Sequence, residues 1–399
     1  MAKNLGKEVP SLWGAPAVLL YVSILLVPGI AGAGEWRPMG LPGVSINTLA
    51  VDPSNPRRIL AGTGPEGGIG LWKSDDGGET WRHIVAGLPD PHRVNTIAFQ
   101  PAVSAPGDAV SGDEGTGVVL LGTFNSVRGN PGIYRSTDGG ETWQPALSGL
   151  ERAVYEVTAI VFDPVDPDVV YAAHNDNPGG VSKSLDGGLS WSDASLGLGP
   201  DDFCQRGCAL DLAIDPGSPS TVYAAMPALA DLYKTTNGGD LWFPTNLGFW
   251  PERLALAPGA PGTLFASGST FTLGGGIGRT LDGAENWENL SHQGGLPALL
   301  GASHRSVALD PANPNTVWLL IEDFDPIPTD EAVYRSLNGG FGWTRAHEGL
   351  EGVEKVYDLT FHGPSLLAAT DDGIYRRVED GLFGSESCRG YRGLEDEPR

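Results

Sequence analysis

Six polar side chains in unrepeated parts of the chain have the chemistry to bind a ligand. They are Arg93, Arg128, Arg152, Tyr155, His174 and Arg305. Arginine presents a planar fork of N–H donors that matches a carboxylate, while tyrosine and histidine add aromatic surface with a polar edge. Gathered on one surface, these residues would form a ligand-binding face. Scattered, they would be ordinary solvated loop residues.

Motifs for covalent, nucleotide or zinc chemistry are absent from the sequence. It contains no Ser/His/Asp or Cys/His nucleophile arrangement, no Walker loop and no His-Glu-x-x-His pair. We therefore predict no catalytic residue, no cofactor and no metal site.

The elements that must position the six candidates are set by a ten-residue pattern that occurs six times. Each copy carries Asp or Asn followed by Gly and ends on Trp, as in Tyr134 to Trp143. We interpret it as a hairpin turn in which the Asp or Asn bonds backbone amides two residues on and glycine supplies positive φ. The Asp or Asn positions are Asp76, Asp138, Asp186, Asn237, Asp282 and Asn338.

Around each copy, the sequence reads as four short strands. Ile46 to Val51 alternates apolar and polar residues and ends in an Asp-Pro turn. A second apolar strand follows at Ile59 to Thr63, and the ten-residue pattern then joins a third strand to a fourth. A four-stranded antiparallel sheet of this kind is the blade of a β-propeller.

The two ends of the repeat region complete each other. The segment that begins at Trp36 resembles a fourth strand with no strands before it, whereas residues 356–379 supply three strands with no fourth. Joining them in one sheet removes the exposed edges of an open array. The predicted fold is therefore all-β: a single seven-bladed β-propeller over residues 34–381, whose last blade is closed by the N-terminal strand. A polar tail follows at 382–399.

The ten-residue pattern resembles the Asp-box, also called the BNR repeat. The form Ser-x-Asp-Gly-Gly-x-Thr-Trp is complete at Ser74 to Trp81 and at Ser136 to Trp143. The chain is thus similar to propeller families built from such boxes. These include sialidases, xyloglucan-hydrolysing enzymes, sortilin-type receptors and photosystem II stability/assembly factors.

The resemblance implies different functions in these families. Sialidases use three arginines, a Tyr–Glu nucleophile pair and an Asp acid/base; Tyr155 and Glu156 are adjacent here, but strand neighbours point to opposite faces. Xyloglucan hydrolases hold paired Asp residues between two seven-bladed propellers, and this chain has the length for one. The assembly factors are exported seven-bladed propellers that bind a partner protein, and they are similar over the whole repeat region.

The two faces of the predicted ring have different roles. Turns between first and second strands and between third and fourth strands share one face, so the six Asp or Asn side chains are spread around it as structural turn locks. Asn237 and Asn338 support this, because an amide makes the same backbone bonds but is neither a general acid nor a nucleophile. An EF-hand calcium loop would also require an acidic twelfth position. The candidate ligand residues fall in loops of the opposite face.

Composition limits the partners. The 399 residues include 58 Gly and 32 Pro, and 49 acidic against 25 basic side chains give a formal net charge of −24. This much Gly and Pro suits short strands joined by tight turns. The negative charge argues against nucleic acid or an anionic membrane as partner.

Export is predicted from residues 1–33. Lys3 and Lys7 precede an apolar run and a small-residue site, the pattern of a signal peptide cleaved after Ala33; an uncleaved anchor is the alternative. In an oxidising compartment Cys204 and Cys208 are expected to form a disulfide rather than to bind a metal, although Cys388 could pair with either.

We therefore predict a secreted or periplasmic, monomeric, non-enzymatic propeller that serves as a protein-binding or assembly scaffold. Its partner would be a protein or a glycan bound at the loop face, with no nucleic acid and no transmembrane span after signal cleavage. The alternative is a carbohydrate-binding or glycoside hydrolase propeller of the sialidase or xyloglucanase type.

Overall fold

The computed structural model describes residues 34–64, 70–88, 93–102, 117–124, 132–150, 156–175, 179–199, 208–269, 276–291, 293–297, 303–322 and 332–378. Several predictions concern residues outside these ranges: the signal peptide (1–33), the tail (382–399), Arg128, Arg152, Tyr155, Cys204 and Cys388. Within the described ranges, no helix is long and apolar enough to cross a membrane.

Four-stranded antiparallel blades form the described structure. Five blades are separate sheets, and blades 5 and 6 are joined into one eight-stranded sheet by the pairing of Ser269 with Ser303. The first strand of the chain is β1 (Trp36–Gly40). Blade 1 contains β2 (Ile46–Val51), β3 (Ile59–Thr63), β4 (Leu71–Ser74) and β5 (Arg82–Ile84); blade 2 contains β6 (Arg93–Phe99), β7 (Val119–Phe124), β8 (Ile133–Ser136) and β9 (Gln144–Pro145); blade 3 contains β10 (Val157–Phe162), β11 (Val170–His174), β12 (Gly180–Ser184) and β13 (Ser192–Asp193).

The remaining blades continue in chain order. Blade 4 contains β14 (Asp211–Ile214), β15 (Val222–Met226), β16 (Asp231–Thr235) and β17 (Phe243–Pro244), with a 3-10 turn at Pro227–Leu229; blade 5 contains β18 (Trp250–Leu256), β19 (Leu264–Ser269), β20 (Gly276–Thr280) and β21 (Glu288–Asn289); blade 6 contains β22 (Ser303–Asp310), β23 (Asn313–Glu322), β24 (Ala332–Ser336) and β25 (Thr344–Arg345). Blade 7 contains β26 (Val356–His362), β27 (Ser365–Thr370) and β28 (Gly373–Val378).

The N-terminal strand completes blade 7. Its strand order is β1-β28-β27-β26, with Trp36 opposite Arg377. The first strands of neighbouring blades contact one another around the ring, and β26 of blade 7 contacts β2 of blade 1. The predicted seven-bladed propeller and its closure by the first strand are confirmed.

Burial is highest in the second strand of each blade and lowest in the fourth. The second strands β3, β11 and β15 are buried at every position, because both of their faces pack against neighbouring blades. The two-residue fourth strands β9, β13 and β17 are exposed. The first strands lie next to the central channel and are only partly buried. Polar side chains at their starts can therefore face the solvent in the channel.

Candidate functional site at the channel mouth

A β-bulge near the start of the first strand recurs around the ring. The strand register shifts at the bulged residue in every blade except blade 4, where the first strand begins at Asp211. The bulged residues are Asn47, Asn95, Thr158, Glu252, Arg305 and Tyr357. Bulges re-aim side chains and are common beside functional sites. Here they turn one side chain per blade toward the channel.

All six bulged residues line one cavity of about 160 Å³ at the channel mouth. The other lining residues are Arg93, Glu156, Leu210 and Arg253. The bulges pair with the ends of the second strands, so the mouth lies on the face that carries the loops between second and third strands. That is the face on which the sequence places the candidate ligand residues. The cavity is large enough for one side chain or one chain end, but not for a larger group.

Three arginines converge at the mouth, and they differ in how they are compensated. Arg305 forms an ion pair with Glu322, and Arg253 Nη1 donates a hydrogen bond to the Glu252 carbonyl oxygen at 2.9 Å. No hydrogen bond or ion pair joins the Arg93 guanidinium to another described residue. Arg93 therefore offers its N–H fork to an incoming acceptor.

The surroundings of Arg93 disfavour its positive charge. Arg93 is exposed to solvent at the first position of β6, but the mouth surrounds its guanidinium, and this partial burial lowers the pKa of Arg93. The nearby Glu156 opposes the shift, while the positive charges of Arg305 and Arg253 add to it. A bound carboxylate would stabilise the positive charge of Arg93, because it adds a negative charge and two acceptor oxygens. The geometry thus fits one anionic group, since Glu156 and Glu252 at the same mouth would repel a polyanion.

A second cavity of about 250 Å³ adjoins the mouth, shares Asn47, Asn95, Thr158 and Arg253 with it, and contains two partly buried carboxyl groups, Asp211 and Asp358. Burial raises the pKa of Asp358 to about 6, although Arg253 and hydrogen bonds from Leu359 and Ser306 oppose the rise. Burial also raises the pKa of Asp211.

Asp211 links blades 4 and 5. Its Oδ2 accepts a hydrogen bond from the Leu254 amide at 2.8 Å, and its Oδ1 accepts one from the Leu212 amide at 2.9 Å. A partly buried carboxyl that satisfies backbone amides in this way is a structural group.

Hydrogen bonds between blades hold the rim of the mouth. Asn47 Nδ2 donates to the Val94 carbonyl oxygen at 2.8 Å, and Asn95 Nδ2 donates to that of Val157 at 3.0 Å. In the next blade Thr158 Oγ1 donates to the Ala209 carbonyl oxygen at 2.8 Å. These side chains fix the spacing of successive blades, so the rim is preorganised.

The six Asp or Asn residues of the repeated turns lie between third and fourth strands, away from the mouth. Asp138 shows the arrangement: Oδ1 accepts hydrogen bonds from the Glu141 amide at 3.0 Å and the Thr142 amide at 2.9 Å, and Ser136 Oγ and Thr142 Oγ1 also donate to the carboxylate. Equivalent turns occur at Asp76, Asp186, Asn237, Asp282 and Asn338. The bonded amides are three and four residues ahead rather than two.

These hydrogen bonds stabilise the charged form of the turn carboxylates. Burial raises the pKa of Asp138, but the bonds from Thr142 and Ser136 outweigh it and lower the value to about 2. At Asp282 the Asn286 side-chain hydrogen bond is the largest of the causes that lower the pKa to about 2. Carboxylates this fully occupied by their own turns are poor candidates for catalysis.

The predicted ligand residues fall into three groups. Arg93 and Arg305 meet at the mouth, whereas Arg128, Arg152 and Tyr155 lie outside the described residues. His174 differs from the prediction.

His174 does not reach the loop surface. It is the last residue of β11 and only 3% exposed, and its Nε2 lies 2.9 Å from Ser182 Oγ. Burial lowers the pKa of His174 to about 4, so the ring is neutral near pH 7. The second strand, β11, continues as far as His174, so the side chain is buried inside the propeller and does not project from a loop.

Cys208 is disulfide-bonded. The two other cysteines, Cys204 and Cys388, lie outside the described residues, so either could be its partner. Among the described residues, no group of three or more His, Cys, Asp or Glu side chains is placed to hold a metal ion.

Comparison of the sequence with known proteins identifies xyloglucanases as relatives. Xyloglucanase Xgh74A of Acetivibrio thermocellus is 28% identical over 244 residues, which are 54% of this chain and 27% of that protein. The xyloglucanase of Hypocrea jecorina is 29% identical over 228 residues, 49% of this chain and 25% of that protein. The chain thus spans about a quarter of the length of these relatives. The sequence matches no protein-family model.

Solved structures show the same fold. The GH74 xyloglucanase from Xanthomonas campestris has a TM-score of 0.62 at 18% identity, over 88% of this chain and 54% of that one. A structure of YCF48 bound to D1 peptide has a TM-score of 0.60 at 18% identity, over 87% of this chain and 97% of that one. At these identities the likeness establishes a shared propeller fold.

Of the ten residues that line the mouth, only Arg93 and Arg305 were among the six candidates from the sequence, and the eight that were missed include Glu252, Arg253 and Tyr357. In blade 5 the apolar alternation of the first strand starts at Leu254, but β18 already begins at Trp250. Aligning the repeats on their first strands would have shown a column of varied polar residues just before the apolar alternation. That column is the ring of bulges.

Proposed function

We propose that this protein is an exported, non-enzymatic binding module that holds a segment of a partner protein at the channel mouth, with Arg93 bonded to a carboxylate of that segment. The observation that carries this proposal is that the Arg93 guanidinium makes no hydrogen bond or ion pair to another described residue. A charge-assisted pair between arginine and a carboxylate is among the stronger polar contacts that proteins make.

The size and charge of the mouth support a polypeptide ligand. A cavity of about 160 Å³ accommodates one side chain or a chain terminus, rather than several sugar rings. The carboxylates of Glu156 and Glu252 lie beside the arginines in this cavity. A peptide suits both, because its carboxylate can bind the arginines and its backbone N–H groups can donate to the glutamates. A polypeptide ligand is also in keeping with the peptide-bound YCF48 structure, which the chain resembles over almost its whole length.

Glycan hydrolysis is the second candidate, and one observation favours it. Glu156 and Glu252 line the same cavity, and paired carboxylates are the equipment of glycoside hydrolases. The sequence relatives named above are xyloglucanases. Against this, Glu156 accepts a hydrogen bond from Asn175 Nδ2 at 3.1 Å, so part of its acceptor capacity serves the fold.

One experiment separates the two candidates. The purified protein is screened against a library of peptides with free C-terminal carboxylates, against the same peptides as amides, and for release of reducing ends from xyloglucan oligosaccharides. We expect selective binding of carboxylate peptides, and about a tenfold or greater loss of affinity in Arg93→Ala. Arg345→Ala, which removes an exposed arginine of β25, should bind normally. Reducing-end release with no peptide bound would replace the proposal with the hydrolase.

A further inference from the structure

The seam between blades 4 and 5 lacks a backbone hydrogen bond that closes five of the seven seams. In five blades the backbone N–H of the tryptophan that starts the fourth strand donates to a carbonyl oxygen of the preceding blade's connection. The donors are Trp36, Trp143, Trp191, Trp242 and Trp343, at 2.8 to 3.1 Å. Trp81 of blade 1 and Trp287 of blade 5 make no such backbone bond, although both sides of these two seams are described. Trp287 instead donates a side-chain hydrogen bond from Nε1 to Thr245 Oγ1 at 3.2 Å.

Glycine contacts show the same opening. A Cβ on Gly87 would clash with the Trp143 carbonyl oxygen, and one on Gly149 or Gly197 would clash with that of Trp191 or Trp242. A Cβ on Gly248, the corresponding residue before blade 5, would meet nothing within 4 Å. The connection out of blade 4 therefore leaves open space at Gly248, although Thr245 earlier in the same connection keeps its side-chain hydrogen bond to Trp287.

A missing aromatic ring enlarges the gap. The third strands of blades 2, 4 and 6 carry Tyr134, Tyr233 and Tyr334 at one equivalent position. Blade 1 has Trp72 there, whereas blade 3 has Ser182 and blade 5 has Gly278, neither of which supplies a ring. Tyr134 and Tyr334 pack in the same clusters as the tryptophans of their own blades. With no ring at Gly278, Trp287 stays partly exposed.

The result is a pocket of about 300 Å³ between the two blades. Its apolar side consists of Trp287, Phe249 and Leu247, and its polar side includes Asn246 and Asn289. This combination of an aromatic surface and convergent amides is typical of sites for small polar ligands, and the volume is at the lower end of their range.

Asp231 preorganises the loop that carries Asn246. Its carboxylate accepts hydrogen bonds from the backbone N–H groups of Asn246 at 3.1 Å and Leu247 at 2.8 Å. Asn246 adopts a left-handed conformation, with φ at 60°. Among the described residues no hydrogen bond occupies its side-chain amide, which is exposed. The amide is thus free to donate and accept.

Charge in the pocket is already compensated. Glu288 forms an ion pair with Arg279, and Glu285 lies 3.3 Å from Lys234 Nζ. A charged ligand would therefore find no counter-ion without breaking one of these pairs. A neutral ligand rich in hydroxyl groups would find amide donors and amide and carboxylate acceptors beside an apolar ring.

We propose that the seam pocket binds a neutral pyranose sugar, with one face of the sugar ring against Trp287 and its hydroxyl groups on Asn246 and Asn289. This site is separate from the channel mouth, and the inference does not depend on the function proposed there. It gives the propeller a second ligand, a glycan, at its edge.

The test uses the full chain and a panel of neutral gluco-, xylo-, galacto- and manno-configured oligosaccharides, with glucuronic acid as the charged comparison. Binding is followed by saturation-transfer NMR and tryptophan fluorescence. We expect at least one neutral sugar to bind and the charged sugar not to bind. Affinity should fall about tenfold in Trp287→Ala and in Asn246→Ala.

Gly278→Tyr supplies the ring that other blades have and should abolish binding by filling the pocket. Trp81→Ala removes another partly exposed tryptophan, and Arg93→Ala alters the mouth; both should bind sugar normally. Circular dichroism confirms that each variant is folded. Failure of every neutral sugar to bind the wild type would overturn the proposal, as would unchanged binding in a folded Trp287→Ala or Asn246→Ala variant.

Discussion

Trp36 and Trp318 pack edge to face, with ring centroids 6.4 Å apart and ring planes at 77°. Trp36 is the first residue of β1, and Trp318 lies in the middle of β23 in blade 6, so this contact ties the N-terminal strand to the blade before the one it completes. Trp36 Nε1 also donates to the Ala346 carbonyl oxygen at 2.8 Å. Closure of the ring thus depends on side-chain packing as well as on strand pairing.

Replacement of Trp36 should loosen the ring. The residue is 1% exposed, and removal of a buried tryptophan side chain costs about 3–5 kcal/mol. We expect Trp36→Ala to lower the free energy of unfolding in urea by this amount. Trp287→Ala, at the open seam, should cost clearly less. A loss below about 1 kcal/mol at Trp36 would contradict its role in closure.

Two glycines with nearly the same backbone conformation should respond differently to alanine. Gly87 has φ of 81° and Gly248 has φ of 84°, so both variants incur the left-handed penalty of about 1–2 kcal/mol. Gly87→Ala adds a clash with the Trp143 carbonyl oxygen, worth about 1–3 kcal/mol more. Thermal unfolding of the pair measures the difference. Equal destabilisation would show that the blade 4 to 5 seam is not open.

Asp138 should be replaceable by Asn but not by Ala. Asn237 and Asn338 hold equivalent turns, so Asp138→Asn should retain most of the stability, whereas Asp138→Ala loses its hydrogen bonds at a cost of about 1–2 kcal/mol. The folded pKa of about 2 is below the unfolded value of 3.8, so the charged form stabilises the fold above about pH 4.

That contribution is lost as the pH falls from about 4 to 2. Acid unfolding curves of wild type and Asp138→Asn test this, because the variant should have a shallower pH dependence in that range. Parallel curves would mean that the turn carboxylate does not gain its stability from ionisation.

Stability should also fall between about pH 6.5 and pH 4 because of buried histidines. Burial lowers the pKa of both His174 and His304 to about 4 from the ordinary 6.5. In this range the unfolded chain takes up a proton on each ring while the folded chain does not, which costs up to about 3 kcal/mol per residue at the acidic end.

Urea unfolding at about pH 7 and pH 5 measures the effect. His174→Gln should reduce the difference in the free energy of unfolding between the two pH values. An identical pH dependence in wild type and His174→Gln would contradict the neutral, buried state of the ring.

The sequence predicts the fold well because the repeated turn is a local signal. Asp138, the two glycines after it and Trp143 lie within six residues, so their spacing alone defines the hairpin. Closure by Trp36 was predictable for the same reason, since its segment repeats a pattern found elsewhere.

The site was predicted only in part, because bulges have no fixed sequence signature. Arg93 and Arg305 were identified as unrepeated loop residues, but Arg253 sits one residue past a bulge that was not foreseen. His174 was misplaced because the sequence does not show where the second strand ends. The seam pocket depends on the absence of a ring at Gly278, which becomes visible only when the repeats are compared with one another.

The central claim is that Arg93 binds a carboxylate, and a double-mutant cycle tests it most directly. A peptide selected in the library screen is titrated, as its free acid and as its amide, into wild type and into Arg93→Ala, and the four dissociation constants are compared. We predict that wild type prefers the acid by about tenfold and that Arg93→Ala binds both forms alike. The same preference for the acid in both proteins would show that the carboxylate is held elsewhere and would contradict the account.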